Sequence, residues 1–171
     1  MTPTPLRVLF LCTANACRSQ MAEGWARALG SDLIEPFSAG VRPSSLDRLA
    51  VLAMREAGVD ISAQRSKGIE ELGGRPFDVV VTVCDAAQAS CPTLPGRHVV
   101  LHAPFEDPPR LAALAHPDGD VTDAEALPHY RRVRDEIRRF VERLPEHPEL
   151  RTRAASPRSL SIAPPAKENL P

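Results

Sequence analysis

The stretch LRVLFLCTANACRSQMAEGWARAL, residues 6–29, decides how the fold is read. Leu6–Leu11 is an apolar run of strand formers, as a buried strand requires. Ser19–Leu29 repeats apolar residues at helical spacing (Met21, Ala22, Trp25, Ala26 and Leu29), with Ser19 in place to cap the helix. Between them lies a short loop holding Cys12, Cys17 and Arg18. Strand, loop and helix in that order open an α/β sheet, in which chemistry sits beyond the carboxyl ends of the strands.

The pattern continues outward from this unit. Leu33–Ser38 reads as a second strand, closed by the turn signal Ala39-Gly40. Leu46–Ala57 reads as a second helix stopped by Gly58, and Ser66–Leu72 as a short third. Phe77–Val83 (FDVVVTV) is apolar apart from Asp78 and Thr82, as in a strand buried on both faces. His98–His102 is a fourth strand, and residues 103–124 read as a long loop. Glu125–Leu144 is an amphipathic helix with its arginines and glutamates on a solvated face. The alternation predicts an α/β, small doubly wound four-stranded parallel sheet with helices on both faces, flavodoxin-like in plan. Residues 12–19 and 84–97 each follow a strand and are placed to face one crevice. The domain is expected over residues 1–144. Residues 145–171 are rich in proline and poor in large apolar residues, and read as a disordered tail.

Composition narrows the function classes. The 171 residues are 43% hydrophobic and 25% charged, with a formal net charge of -1. That balance gives no electrostatic footprint for nucleic acid or an anionic membrane. No apolar run reaches the roughly 20 residues that span a bilayer, and the N-terminus lacks the pattern of a secretory signal. A cytoplasmic protein is expected. In that setting four cysteines point to catalysis, redox chemistry or metal binding.

Cys12 and Arg18 form a Cys-x5-Arg pattern followed by Ser19. The residues Thr13, Ala14, Asn15, Ala16 and Cys17 can wrap a tetrahedral oxyanion with backbone N–H groups. The helix start adds its own N–H groups, and Arg18 can grip two oxygens with its fork. The same field favours a Cys12 thiolate, to which Ser19 can donate. Asn15 suits a left-handed loop position. A second pair, Cys84 and Cys91, brackets the segment after the third strand and suits disulfide exchange in a movable segment. Zinc fits poorly. The spacings Cys12-x4-Cys17 and Cys84-x6-Cys91 are not matched knuckles, and zinc leaves Arg18 and Ser19 without a purpose. Asp107, in Phe105-Glu106-Asp107-Pro108-Pro109, is the candidate general acid, with Glu106 its neighbour and competitor. The five histidines, His98, His102, His116, His129 and His147, show no paired ligand spacing and receive no role.

These motifs resemble the low-molecular-weight tyrosine phosphatase fold and, within it, the thioredoxin-coupled arsenate reductases. CTANACRSQMAEGWAR, FSAG, VTVC with a later Cys, FEDP and YRRVRDEI carry the likeness over roughly residues 6–143. The resemblance implies that Cys12 attacks arsenate held by the loop and Arg18, while Asp107 protonates the leaving oxygen. It implies that Cys84 then attacks Cys12 and releases arsenite, that Cys91 attacks Cys84, and that thioredoxin reduces the final disulfide. Cys17 has no step in this scheme. No cofactor or metal is implied as a reactant, and a monomer is expected. Some relatives hold potassium behind the loop. Asn15, Glu23 and Ser38 match that site, but Arg65 and Lys67 replace its Thr and Asp. The potassium site is therefore expected to be absent, with an ammonium or guanidinium in its place.

The rivals divide by chemistry. A tyrosine phosphatase would use Cys12, Arg18 and Asp107 but would not need Cys84 and Cys91. Phosphatases of this type usually follow Asp-Pro with Tyr, where this chain has Pro109. A non-enzymatic thiol sensor would leave the Cys-x5-Arg loop without purpose. A reductase fed by a low-molecular-weight thiol would not need the second cysteine pair.

Overall fold

β1 (Leu6–Cys12) is the strand read from the apolar run, lengthened by one residue so that Cys12 is its last. The structure, a computed structural model, describes residues 4–29 and 32–154. After β1 come α1 (Arg18–Ala28), β2 (Ile34–Gly40), α2 (Arg48–Glu56), a 3-10 turn (Ile69–Leu72) and β3 (Val79–Thr82). Then follow α3 (Asp85–Ala89), β4 (Val99–His102), α4 (Pro108–Ala115), α5 (Asp123–Arg143), a second 3-10 turn (Leu144–Glu146) and α6 (Pro148–Ala154).

The four strands are parallel in the order β2-β1-β3-β4. The expected architecture is thus present. All four residues of β3 are buried, so both faces of the sheet centre are covered. The chain leaves β1 toward β2 on one side and later builds β3 and β4 on the other. The reversal point is the gap between β1 and β3, where doubly wound sheets open a crevice. Leu11 pairs with Thr82 in the parallel register, so Cys12 and the residues just past β3 leave the sheet side by side at this gap. Among the described residues, no helix is long and apolar enough to cross a membrane.

Five local expectations change, the first being that the short helix read over Ser66–Leu72 is only a 3-10 turn at Ile69–Leu72. Ser19 does not cap α1: Cys17 holds the cap position without a side-chain bond, and Ser19 is buried inside the first turn. The segment 84–97 contains α3, which is too short for a hydrophobic period to announce. The long loop 103–124 contains α4, whose first two residues are Pro108 and Pro109. Proline suits the first helical turn because its missing N–H would have no partner there. The region after residue 144 is not featureless either. It forms a 3-10 turn and α6, and Leu150 is 1% exposed against the core. One buried leucine anchors a helix that proline-rich composition had concealed. The remainder of the expected tail, 155–171, lies outside the described residues.

Candidate active site

The loop from Cys12 to Arg18 bends around its own N–H groups because its carbonyls are claimed from outside. Val41 N–H donates to Cys12 O (3.1 Å), Arg42 N–H to Thr13 O (2.8 Å), Ser44 N–H to Ala14 O (3.1 Å) and Asp47 N–H to Ala16 O (3.0 Å). Gln20 Nε2 donates to Asn15 O at 2.9 Å, and Met21 N–H to Cys17 O at 2.9 Å. In a trans peptide the N–H points opposite to the carbonyl before it. Carbonyls pulled outward therefore turn the intervening N–H groups inward, which makes an anion-binding nest. Gly40 lets β2 approach this closely. A Cβ there would lie 2.7 Å from Thr13 O and 2.9 Å from Asn15 N.

Asn15 is the one non-glycine residue with positive φ (49°) among the described residues, as its side chain tolerates. Ala14 needs no such conformation. Asn15 is fully buried. Its Nδ2 donates to Ser19 Oγ (2.9 Å), and its Oδ1 accepts from Lys67 N–H (2.9 Å) and Gln20 Nε2 (3.0 Å). Because Ser19 Oγ accepts here, its own proton stays free to be donated. Gln64 Nε2 extends the network to Gln20 Oε1 at 2.7 Å. Gln20 and Gln64 escaped the sequence reading because buried polar networks leave no periodic signal.

Arg18 begins α1 and faces the loop. Its Nη1 donates to Phe105 O (2.9 Å), and its Nη2 lies 3.0 Å from Asp107 Oδ1. Its Nε is buried without a partner, a donor that an oxyanion in the nest would satisfy. Asp107 caps α4 through its backbone alone, which leaves the carboxylate to Arg18. Glu106, the competing acid, is drawn away by Arg132 of α5 at 2.7 Å. The structure thus brings Asp107 to the loop and separates Glu106 from it.

Cys12 and Cys84 are both buried and share a hydrogen bond. Thr13 Oγ1 lies 3.5 Å from Cys84 Sγ, and Ala87 N–H donates to that sulfur at 3.4 Å from the first turn of α3. The bond to Cys12 is the largest influence lowering the Cys84 thiol, which settles at about 5 despite burial; Thr13, Ala87 N–H and Arg18 add to it. Cys12 moves up, first through the same bond and then through burial, against Arg18 and the Thr13 N–H. Two sulfurs in contact titrate as a pair: one proton leaves readily and the second is held beside the first charge. Within the pair, that contact, helped by Thr13 and the Ala87 N–H, draws Cys84 toward its thiolate and holds Cys12 toward its thiol. Burial raises Cys91, which stands past the end of α3 with its Sγ 3.8 Å from Pro92 O. Burial also raises Cys17. The expected set therefore divides. Cys12, Arg18, Cys84 and Asp107 converge, Ser19 is held by Asn15 behind them, and Cys91 lies beyond an intervening helix.

Behind the loop, Lys67 Nζ stands 3.5 Å from Glu23 Oε2 and 3.4 Å from Ser38 Oγ. Ser38 also donates to Glu23, and Arg27 pairs with the other Glu23 oxygen at 2.5 Å. Arg65 instead pairs with Glu71 at 2.6 Å. Of the two cations read in place of the potassium ligands, Lys67 is the one that faces Glu23 and Ser38. An ammonium between those two groups is a poor neighbour for a monovalent cation. Among the described residues, no group of three or more His, Cys, Asp or Glu side chains is arranged to hold a metal.

The family model for low molecular weight phosphotyrosine protein phosphatase matches residues 7–153. The chain belongs to this family. Within the family, its relatives include proteins of both chemistries. It is 41% identical over 130 residues to an arsenate reductase of Halalkalibacterium halodurans, covering 76% of this chain and 88% of the relative. A solved arsenate reductase in the phosphate binding state is 33% identical, with a TM-score of 0.63 over 81% of this chain and 95% of its own. A low molecular weight protein tyrosine phosphatase from T. tengcongensis is 28% identical, with a TM-score of 0.63 over 82% and 98%. The family fold, with its loop at the switch point, is the frame in which the two thiols meet.

Proposed function

We propose that this chain reduces arsenate to arsenite by a three-thiol relay, with thioredoxin as the final reductant. Arsenate enters the nest and draws Arg18 off Asp107. The Cys12 proton passes through solvent to Asp107, left without its Arg18 partner, so that Cys84 keeps its charge, and the Cys12 thiolate attacks arsenic. Asp107 protonates the departing oxygen, which leaves as water. The Cys84 thiolate then attacks Cys12 Sγ. A sulfur–sulfur bond forms, the sulfur–arsenic pair goes to arsenic, and arsenite departs with two electrons more than arsenate. Cys91 next attacks Cys84 Sγ and expels Cys12 as thiolate. A dithiol of the thioredoxin type reduces the resulting pair.

The observation that carries this reading is the buried contact of Cys12 with Cys84 at the switch point. Hydrolysis of a phosphate ester needs no second thiol there. The third step requires α3 to open. The five residues of α3, rising about 1.5 Å each, stand between the two thiols, and Cys84 ahead of them is extended, which holds the two apart. A disulfide needs Cα atoms roughly 4.4–6.8 Å apart. The arsenate reductases among the relatives support the same reading.

The test is a coupled assay with arsenate, thioredoxin, thioredoxin reductase and NADPH. The wild type should turn over steadily. Cys91→Ser should release one equivalent of arsenite and stop. Absence of arsenate-dependent NADPH loss, with aryl phosphate hydrolysis intact and indifferent to Cys91→Ser, would make this a phosphatase site.

A further inference from the structure

Helix α3 carries the consequence of the relay, since it must hold Cys84 for one step and let Cys91 reach it in the next. One imidazole bridges the sheet to this helix. Thr82 and His102 are paired across β3 and β4. Thr82 Oγ1 and His102 Nδ1 are 2.8 Å apart, and His102 Nε2 is 3.0 Å from Asp85 Oδ1. The Nε2–H tautomer satisfies both bonds, with Nε2–H donating to Asp85 and the single Thr82 hydroxyl proton turned to Nδ1 at 2.8 Å rather than to the more distant Leu101 O at 3.4 Å. The bridge closes a ring around Val83 and Cys84, the two residues that lead from the sheet into α3. Thr82 is fully buried, which fixes the inner end. The Asp85 side chain is 86% exposed, so water competes for the outer end. Among the described residues, this is the side-chain hydrogen bond that ties α3 itself to the sheet. A five-residue helix has little stability of its own and depends on such external contacts.

We propose that His102 is a positioning residue for the relay: through Asp85 it latches the first turn of α3, holding Cys84 against Cys12 and restraining the opening that Cys91 requires. The inference rests on the relay reading above. It makes His102 act in opposite directions on two successive steps. Losing the latch slows the attack of Cys84 on Cys12, because the Ala87 N–H that steadies the Cys84 thiolate belongs to the same turn. It speeds the attack of Cys91 on Cys84, because α3 opens more readily. The outer bond is exposed, so each effect is modest, about two- to fivefold.

The experiment is a single turnover of the full-length protein with arsenate, quenched with acid and alkylated. Mass spectrometry then follows the Cys12–Cys84 and Cys84–Cys91 disulfides in wild type, His102→Ala, Asp85→Ala and Asp85→Asn. Both alanine variants should form the first disulfide more slowly and convert it to the second faster. Asp85→Asn keeps the acceptor oxygen and should behave as wild type. Amide exchange at residues 87–90 should quicken in the alanine variants alone. Equal slowing of both steps, or no change in either, would overturn the latch. Asp85 is exposed, so its variants decide the matter if His102→Ala fails to fold. Failure of the wild type to form either disulfide with arsenate would instead overturn the relay reading.

Discussion

Cys84 is drawn toward its thiolate by a turn of helix and a neighbouring thiol, while Cys91, seven residues on, is held as a thiol by burial alone. The sign of the pH dependence follows. A thiol lowered to about 5 is ionised above that pH and loses its reactivity only as pH falls through it. A raised thiol gains reactivity only as pH climbs past the usual thiol range. Iodoacetamide should therefore label the buried pair through Cys84 at pH 6 and Cys91 only in alkali. Peptide mapping of briefly alkylated, reduced protein checks this. Equal labelling of Cys84 and Cys91 at pH 6 would contradict the assigned environments. The residue types were legible from sequence because a Cys-x5-Arg loop between strand and helix has a physical purpose. Which sulfur is drawn toward its charge was not legible, because it depends on the contact with Cys12 and on Thr13 and the Ala87 N–H reaching Cys84.

Three elements meet behind the loop, α1 through Glu23, β2 through Ser38 and the segment after α2 through Lys67, whose N–H holds Asn15 of the loop. Glu23 is a buried carboxylate, and Lys67 and Arg27 together supply its compensation. Removing one partner of a buried pair is costly, here lessened because Arg27 and Ser38 remain, so Lys67→Met should lose about 1–3 kcal/mol. That converts to a melting temperature lower by about 3–10 °C. Potassium, compared with choline at equal ionic strength, should leave the wild type unmoved. It should partly restore Lys67→Met, because the vacated space then faces oxygen ligands. Stabilisation of the wild type by potassium would overturn this account. Sequence reading could name Arg65 and Lys67 as intruding cations but could not choose between them, since the choice depends on Arg65 reaching Glu71. Elements of this length show the same limit. The apolar period exposed α1, α2 and α5, whereas α3 is too short to have one. The start of α4 was visible as Pro108-Pro109, a pattern that equally suits a stiff loop.

The described fold closes around α5, which packs on α1, α2 and α4 and reaches toward the loop through Tyr130. Tyr130 Oη donates to Asp47 Oδ2 at 2.7 Å, and Asp47 in turn caps α2 and donates its N–H to Ala16 O. The integrity of the oxyanion loop thus depends on how firmly the C-terminal helices are seated. Those helices do not end at residue 144. Leu144 and Leu150 are both about 1% exposed, and α6 turns back to bury the second against the fold. A Leu→Ala change at a buried site costs about 2–5 kcal/mol. Leu150→Ala should therefore lower the melting temperature by roughly 5–15 °C. A chain ending at residue 144 should lose at least as much, and with it some affinity for phosphate at the loop. Thermal unfolding of the three chains, each with and without phosphate, measures both effects. A truncated chain that melts with the full-length protein would mean that α6 adds nothing to the core, and the domain would end where composition alone placed its boundary.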